Sequence, residues 1–375
     1  MNTEAQLFSL FTLSPKITLF PVVHGSGDFT IELRRIMLNQ KFDALAVPLP
    51  QSFQQPVEQA LQNLPIAQIV YQQESYQSFS SGSEAELPTA TYVPIEPCQP
   101  VITALRFALQ EHLPRYFIDP EVESFEVHSA VLPDPYAVKQ LASPRFAAAT
   151  LPLLSSSFSP QLQYRAAGMV DRLRQMEKQH ASILALCSYA EWMAIRAAYQ
   201  QSLSLSQFGE ETPPEADVRT ALVTERSLIF MMGELPHLCA QYEIARRELE
   251  QDDNLSIDGM KQLLLETRDH YRSQQRSHSR PVTPKLLKIY LNYVRNLSLI
   301  ERRLTPDLYT LVTAAQQIFS DQFAVHLAET ARQYPFIGRT DEPRVTMGID
   351  QMRTPDGQVY HTKSRLPGHP ISWRT

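Results

Sequence analysis

No apolar run in the 375-residue chain approaches the ~18 residues needed to cross a bilayer. Its start, Met1-Asn2-Thr3-Glu4-Ala5-Gln6, lacks the basic segment of a secretion signal, so neither secretion nor a membrane span is expected. Cysteine is scarce. Cys98, Cys187 and Cys239 lie far apart without a CxxC pair, which argues against a disulfide framework and a zinc ribbon and fits a reducing cytoplasm. HExxH and an acidic Ca²⁺ loop are missing, His361 and His369 are isolated, and no metal is expected. Gly25-Ser26-Gly27 has no third glycine after it, so the phosphate-loop and dinucleotide fingerprints are missing too, and no cofactor is expected. A net charge of −6 points to neither nucleic acid nor an anionic membrane. Glycine is itself sparse, 11 against 28 prolines, which favours stiff connections and helices opened by proline.

What is present reads as a folded globular chain, with 43% hydrophobic and 20% charged residues. Its length exceeds what one core usually serves, so two units are expected. Ile17-Thr18-Leu19-Phe20-Pro21-Val22-Val23 is a short apolar run closed by turn formers and reads as a buried strand. Phe29, Leu33, Ile36 and Met37 recur at helical spacing, and a second strand at Asp43 to Val47 completes a βαβ unit with parallel strands. The alternation continues through a helix at about 53–63, a strand at Ile66 to Tyr71, a polar loop from Gln72 to Thr89, a helix at about 101–111 and a strand at Arg115 to Asp119. After an excursion of at most short helices, Ser159-Pro160 opens a helix to about Lys178. A strand at Ser182 to Cys187 and a helix at Tyr189 to Tyr199 follow.

Beyond a proline-bearing break at 204–214 the pattern turns helical, with start signals at Thr212/Glu215, Ser256, Thr283 and Thr305. Thr354-Pro355-Asp356-Gly357 marks a turn within a terminal hairpin. The expected fold class is therefore α/β: a largely parallel, doubly wound sheet, then an all-helical region and a short C-terminal hairpin, with boundaries at 1–203, 204–340 and 341–375.

Ligands of open parallel sheets collect at the carboxyl ends of the strands, which selects His24, Pro48, Asp119 and the Ser188 to Glu191 turn. Gly25, Ser26 and Gly27 lead into a helix whose free N–H groups suit an anion or a developing oxyanion. Cys187, at the end of an apolar strand without an adjacent base, reads as a small buried hydrophobe.

Ile17 to Gly25, the Phe42 to Val47 strand, Arg165-Ala166-Ala167-Gly168-Met169 on a helix, and Ile183 to Glu191 together resemble the erythromycin-esterase-like superfamily, with the haem-linked ChaN lipoproteins and TraB-type proteins as distant relatives. The resemblance covers roughly residues 15–200 and implies a divergent bacterial member. Members typically carry a histidine after the first strand, a glutamate after the second, an arginine on the late helix and a second histidine after the last strand. His24 and Arg165 match, whereas Pro48 stands in the place of the glutamate and Glu191 near that of the second histidine. The implied activity is an esterase-like hydrolase with a degenerate acid-base set. His24 would act as general base, Arg165 would bind an anionic or oxyanionic group, and Glu191 or Asp119 would replace the lost carboxylate. The alternative is a non-catalytic protein-interaction component of a larger bacterial assembly.

The helical half divides by charge. Basic residues outnumber acidic ones nine to two from Arg268 to Arg303, while Glu210 to Glu266 carries thirteen acids against five bases. Tyr271, Tyr290 and Tyr293 would let the basic stretch touch nucleic acid, but opposite-sign helices packed on each other or on a partner protein are the simpler expectation.

Overall fold

The computed structural model describes residues 8–74, 87–154, 157–208, 217–248, 255–274, 281–338 and 342–368. In chain order the described strands are β1 (Thr12–Ser14), β2 (Ile17–Val22), β3 (Ala44–Pro50), β4 (Gln68–Gln73), β5 (Thr89–Ile95), β6 (Arg115–Asp119) and β7 (Ile183–Ser188). They continue with β8 (Val218–Val223), β9 (Arg344–Met347), β10 (Gln351–Arg353) and β11 (Val359–Ser364).

One sheet has the order β1-β2-β7-β3-β6. It is mixed: β2, β7, β3 and β6 run parallel, and β1 closes one edge antiparallel to β2. All residues of β3 and β7 are buried, as continuous apolar runs in the middle of a parallel sheet demand. Leu184 of β7 sits opposite Thr18 on one side and Leu45 on the other, at the centre of the largest apolar cluster.

The other strands close a six-stranded barrel, β10-β11-β5-β4-β8-β9. This corrects three expectations. The Ile66–Tyr71 run does not join the first sheet; as β4 it pairs antiparallel with β5 and β8. The region after residue 203 is not all helical, since β8 lies within it. The terminal hairpin, β10 with β11, is a wall of the barrel rather than a separate appendage. Pro94 inside β5 and the half-exposed register of β8 explain why neither strand was anticipated: proline demotes a strand, and a mixed pattern hides one. The barrel thus draws strands from both sides of residues 203 and 340.

Helices α1 (Gly27–Asn39), α2 (Gln54–Leu61), α3 (Pro100–Gln110), α4 (Ala137–Leu141), α5 (Ser143–Thr150), α6 (Pro160–Glu177) and α7 (Trp192–Gln200) accompany the sheet. Here α1 packs on α3, α6 on α7, and α2 against the barrel strands. Ser159 caps α6 as expected, its hydroxyl accepting from Leu162 N–H. Gly168 lets α6 approach the chain leaving β6, because a Cβ there would lie 2.8 Å from Pro120 Cγ.

The helical half contains α8 (Leu228–Met231), α9 (Pro236–Glu248), α10 (Leu255–Gln274), α11 (Pro284–Ile300), α12 (Leu308–Ile318) and α13 (Asp321–Ala331). Thr283 caps α11 as expected, but Asp307 rather than Thr305 caps α12. Ser256 lies inside α10, its hydroxyl donating to Asp28 Oδ1 at 2.7 Å. Thr212, Glu215 and His369 lie outside the described residues. No described helix is long and apolar enough to cross a membrane.

The central place of β7 has a measurable consequence. Leu184→Ala should lower unfolding free energy by about 2–5 kcal/mol in denaturant titrations, whereas Leu13→Ala on the edge strand should cost clearly less.

Candidate functional site

The carboxyl ends of β2, β6 and β7 meet as expected, and the side chains there sort into two groups. Arg165 on α6 reaches the last residue of β6 and the turn after β7. Its Nε donates to Asp119 Oδ1 at 3.0 Å, its Nη2 to Asp119 Oδ2 at 2.9 Å and its Nη1 to Glu191 Oε1 at 2.8 Å. Arg165 is 2% exposed, and Asp119 and Glu191 are also buried. Burial pushes Asp119 up to about 6 against the pull of the Arg165 charge; it is therefore ionised at neutral pH. Burial opposes the charge on Arg165, but the two acids outweigh it and raise the guanidinium above its ordinary value.

The network reaches into the barrel. Phe125 stacks under Arg165 at 4.8 Å and under Arg365 at 5.0 Å, and Arg365, just past β11, also covers Phe53. Arg365 donates to Thr91 Oγ1 at 3.1 Å and Gln72 Oε1 at 3.3 Å, and burial lowers it to about 10. Nothing in the sequence marks Arg365, because its neighbours come from strands far away in the chain.

His24 belongs to the second group. Its Nδ1 lies 3.2 Å from Gln99 Oε1; a carbonyl oxygen only accepts, so Nδ1 carries the proton and Nε2 is the ring's acceptor. Neither Asp119 nor Glu191, the expected replacement carboxylates, is its hydrogen-bond partner. Burial lowers His24 to about 4, with the Glu191 charge and the Gln99 bond opposing. The imidazole is neutral at physiological pH.

The turn after His24 is met by the chain itself. Gly25 has φ +70°, and a Cβ on Gly233 would lie 2.1 Å from Gly25 Cα, so two backbones touch where only glycine fits. Ser26 Oγ accepts from Phe29 N–H at 3.3 Å, and Gly27 N–H donates to Glu234 Oε1 at 3.0 Å. The helix start expected to hold an anion thus receives an internal carboxyl group. Burial raises Glu234 to about 8, aided by the charges of Asp28, Glu96 and Asp134 and opposed by the Gly27 N–H, so it is largely protonated near neutrality. His24, Ser26, Asp28, Glu234, Ser256 and Arg303 contribute to the lining of a cavity of about 100 Å³ between sheet and helical half.

Pro48, fully buried within β3, brings no donor or acceptor side chain to this edge. Cys187 is fully buried, and burial pushes its thiol well up, matching its reading as a small hydrophobe. Although no spacing motif announces it, the fold gathers ligand atoms of Glu96, Cys98 and Cys239 within 4.8 Å of one another. Comparison with protein families, curated proteins and solved structures finds no match for the chain.

The lowered His24 pKa fixes a pH dependence. The unfolded imidazole takes up a proton below about 6.5 while the folded one resists until about 4, so its stability contribution is full above pH 6.5 and lost as pH falls to 4. Wild type should lose about 3 kcal/mol more than His24→Gln across that window in denaturant titrations; equal losses would remove the buried neutral imidazole from the account.

Proposed function

We propose that the chain is a non-catalytic relative of the erythromycin-esterase-like superfamily, in which the degenerate acid-base set of a hydrolase has become scaffold and the helical half docks a protein partner within a larger assembly. The observation that carries this reading is the enclosure of Arg165. A guanidinium that donates to two carboxylates and is 2% exposed presents nothing to a substrate anion. His24 agrees: a base of pKa about 4 draws protons weakly, and its carboxamide partner cannot take one from it. The cavity of about 100 Å³ is also small beside the ~300–1,000 Å³ of ordinary small-molecule sites.

We read the sheet as doubly wound, since right-handed crossovers put the packed pair α1 and α3 on one face and α6 and α7 on the other. The buried free thiols suit a reducing cytoplasm. On α11, exposed Ile289, Leu299 and Ile300 are interleaved with Lys285, Lys288 and Arg295, a surface that fits an acidic protein. Among the described residues flanking α11, Arg268 pairs with its neighbour Asp269 and Arg303 with Asp307 four residues on.

One observation favours the hydrolase instead: His24 lines the cavity with its tautomer set so that Nε2 accepts. A panel of carboxylic and phosphate esters decides between them. Wild type and His24→Ala should both give blank rates, and turnover that disappears in His24→Ala would overturn the non-catalytic reading.

A further inference from the structure

We propose that Glu96, Cys98 and Cys239 form a buried site for a thiophilic divalent cation of the Zn²⁺ type, which clips the turn before α3 to the first turn of α9. One ligand atom from each residue lies within 4.8 Å of the other two, and Cys239 Sγ is 3.7 Å from Glu96 Oε2. A tetrahedral ion with bonds of roughly 2.0–2.3 Å sets its ligands roughly 3.3–3.8 Å apart, so that pair already has the required separation, and a Cys98 ligand atom lies within 4.8 Å of both. All three residues are almost wholly buried. Two thiols and a carboxyl group are an unusual filling for a core, where apolar side chains would pack without desolvating oxygen. Together they are the soft, anionic donor set that selects zinc over magnesium or calcium.

The backbone holds the donors in place. Cys98 N–H donates to Glu96 Oε2 at 2.6 Å, and Cys98 O accepts from Thr30 Oγ1 of α1 at 2.7 Å. Cys239 N–H donates to Leu235 O at 3.0 Å as α9 begins. The Glu234 carbonyl oxygen, 3.7 Å from Cys239 Sγ, would supply a fourth ligand, while the carboxyl group of the same residue stays with Gly27 N–H. Binding replaces the thiol protons with the ion and releases them to solvent, and because the donors come from distant parts of the chain the binding energy becomes folding energy. Such a clip is independent of whether the His24 region is catalytic.

The test loads the reduced full-length chain with Co²⁺ alone and reads its absorbance, then measures Zn²⁺ content by elemental analysis after chelator-free purification. Wild type should show the thiolate-to-Co²⁺ charge-transfer band and hold about one Zn²⁺ per chain. Cys98→Ser and Cys239→Ser should each lose the band, Cys187→Ser should keep it, and Glu96→Gln should bind at least ~10-fold more weakly. A chelator should lower the melting temperature of wild type but not of Cys239→Ser. The wild-type spectrum needs no variant to fold, so absence of its band overturns the site. So does a band that survives both serine substitutions at Cys98 and Cys239.

Discussion

Taking a guanidinium and two carboxylates out of water is among the most costly things a fold does, and it is tolerated only where each charge meets its partners at close range. Arg165 satisfies that demand by joining three elements at one point, the body of α6, the end of β6 and the turn after β7. Through Phe125 the same point touches Arg365, so two guanidiniums and two carboxylates tie the five-stranded sheet to the barrel. Loss of any one charge would leave the others buried without balance, which makes the alignment of these strands interdependent.

The carboxyl edge that would receive a ligand in an open sheet is filled here by the chain's own groups. Glu234 takes the Gly27 N–H, Ser26 takes that of Phe29, Gln99 takes His24, and Gly233 presses its backbone on Gly25. Each contact substitutes an internal partner for an external one. The helical half, which contributes Gly233 and Glu234, is thereby seated on the sheet at the position where open α/β sheets bind their ligands.

Much of the sheet was legible because β2, β3 and β7 are uninterrupted apolar runs and the helices between them carry caps and three-to-four spacing. The meeting of Asp119 with the Ser188–Glu191 turn was legible for a related reason: the strand-end rule names positions without needing distances, whereas Arg165, on a helix, falls outside that rule. What the acids do there was not, since only geometry shows that both serve Arg165 and leave His24 to a carboxamide. Apart from the terminal hairpin, the barrel was hidden because β4 with β8, β5 with β11 and β8 with β9 pair across long stretches of chain, and pairing at such range leaves no local pattern. Pro94 in β5 and the half-exposed β8 then removed what little signal remained. Glu234, Gln99, Arg365 and the Cys98 to Cys239 proximity share that cause, as each acquires its role from a neighbour supplied by another element.

The claim that the Arg165 network is structural is tested most directly by a mutant cycle read in unfolding free energy. Arg165→Met alone should cost about 3–5 kcal/mol, because it strands two buried carboxylates, and adding Asp119→Asn and Glu191→Gln should restore most of that loss. If Arg165→Met leaves stability unchanged, or the three losses simply add, the guanidinium does not organise this edge and the scaffold account fails.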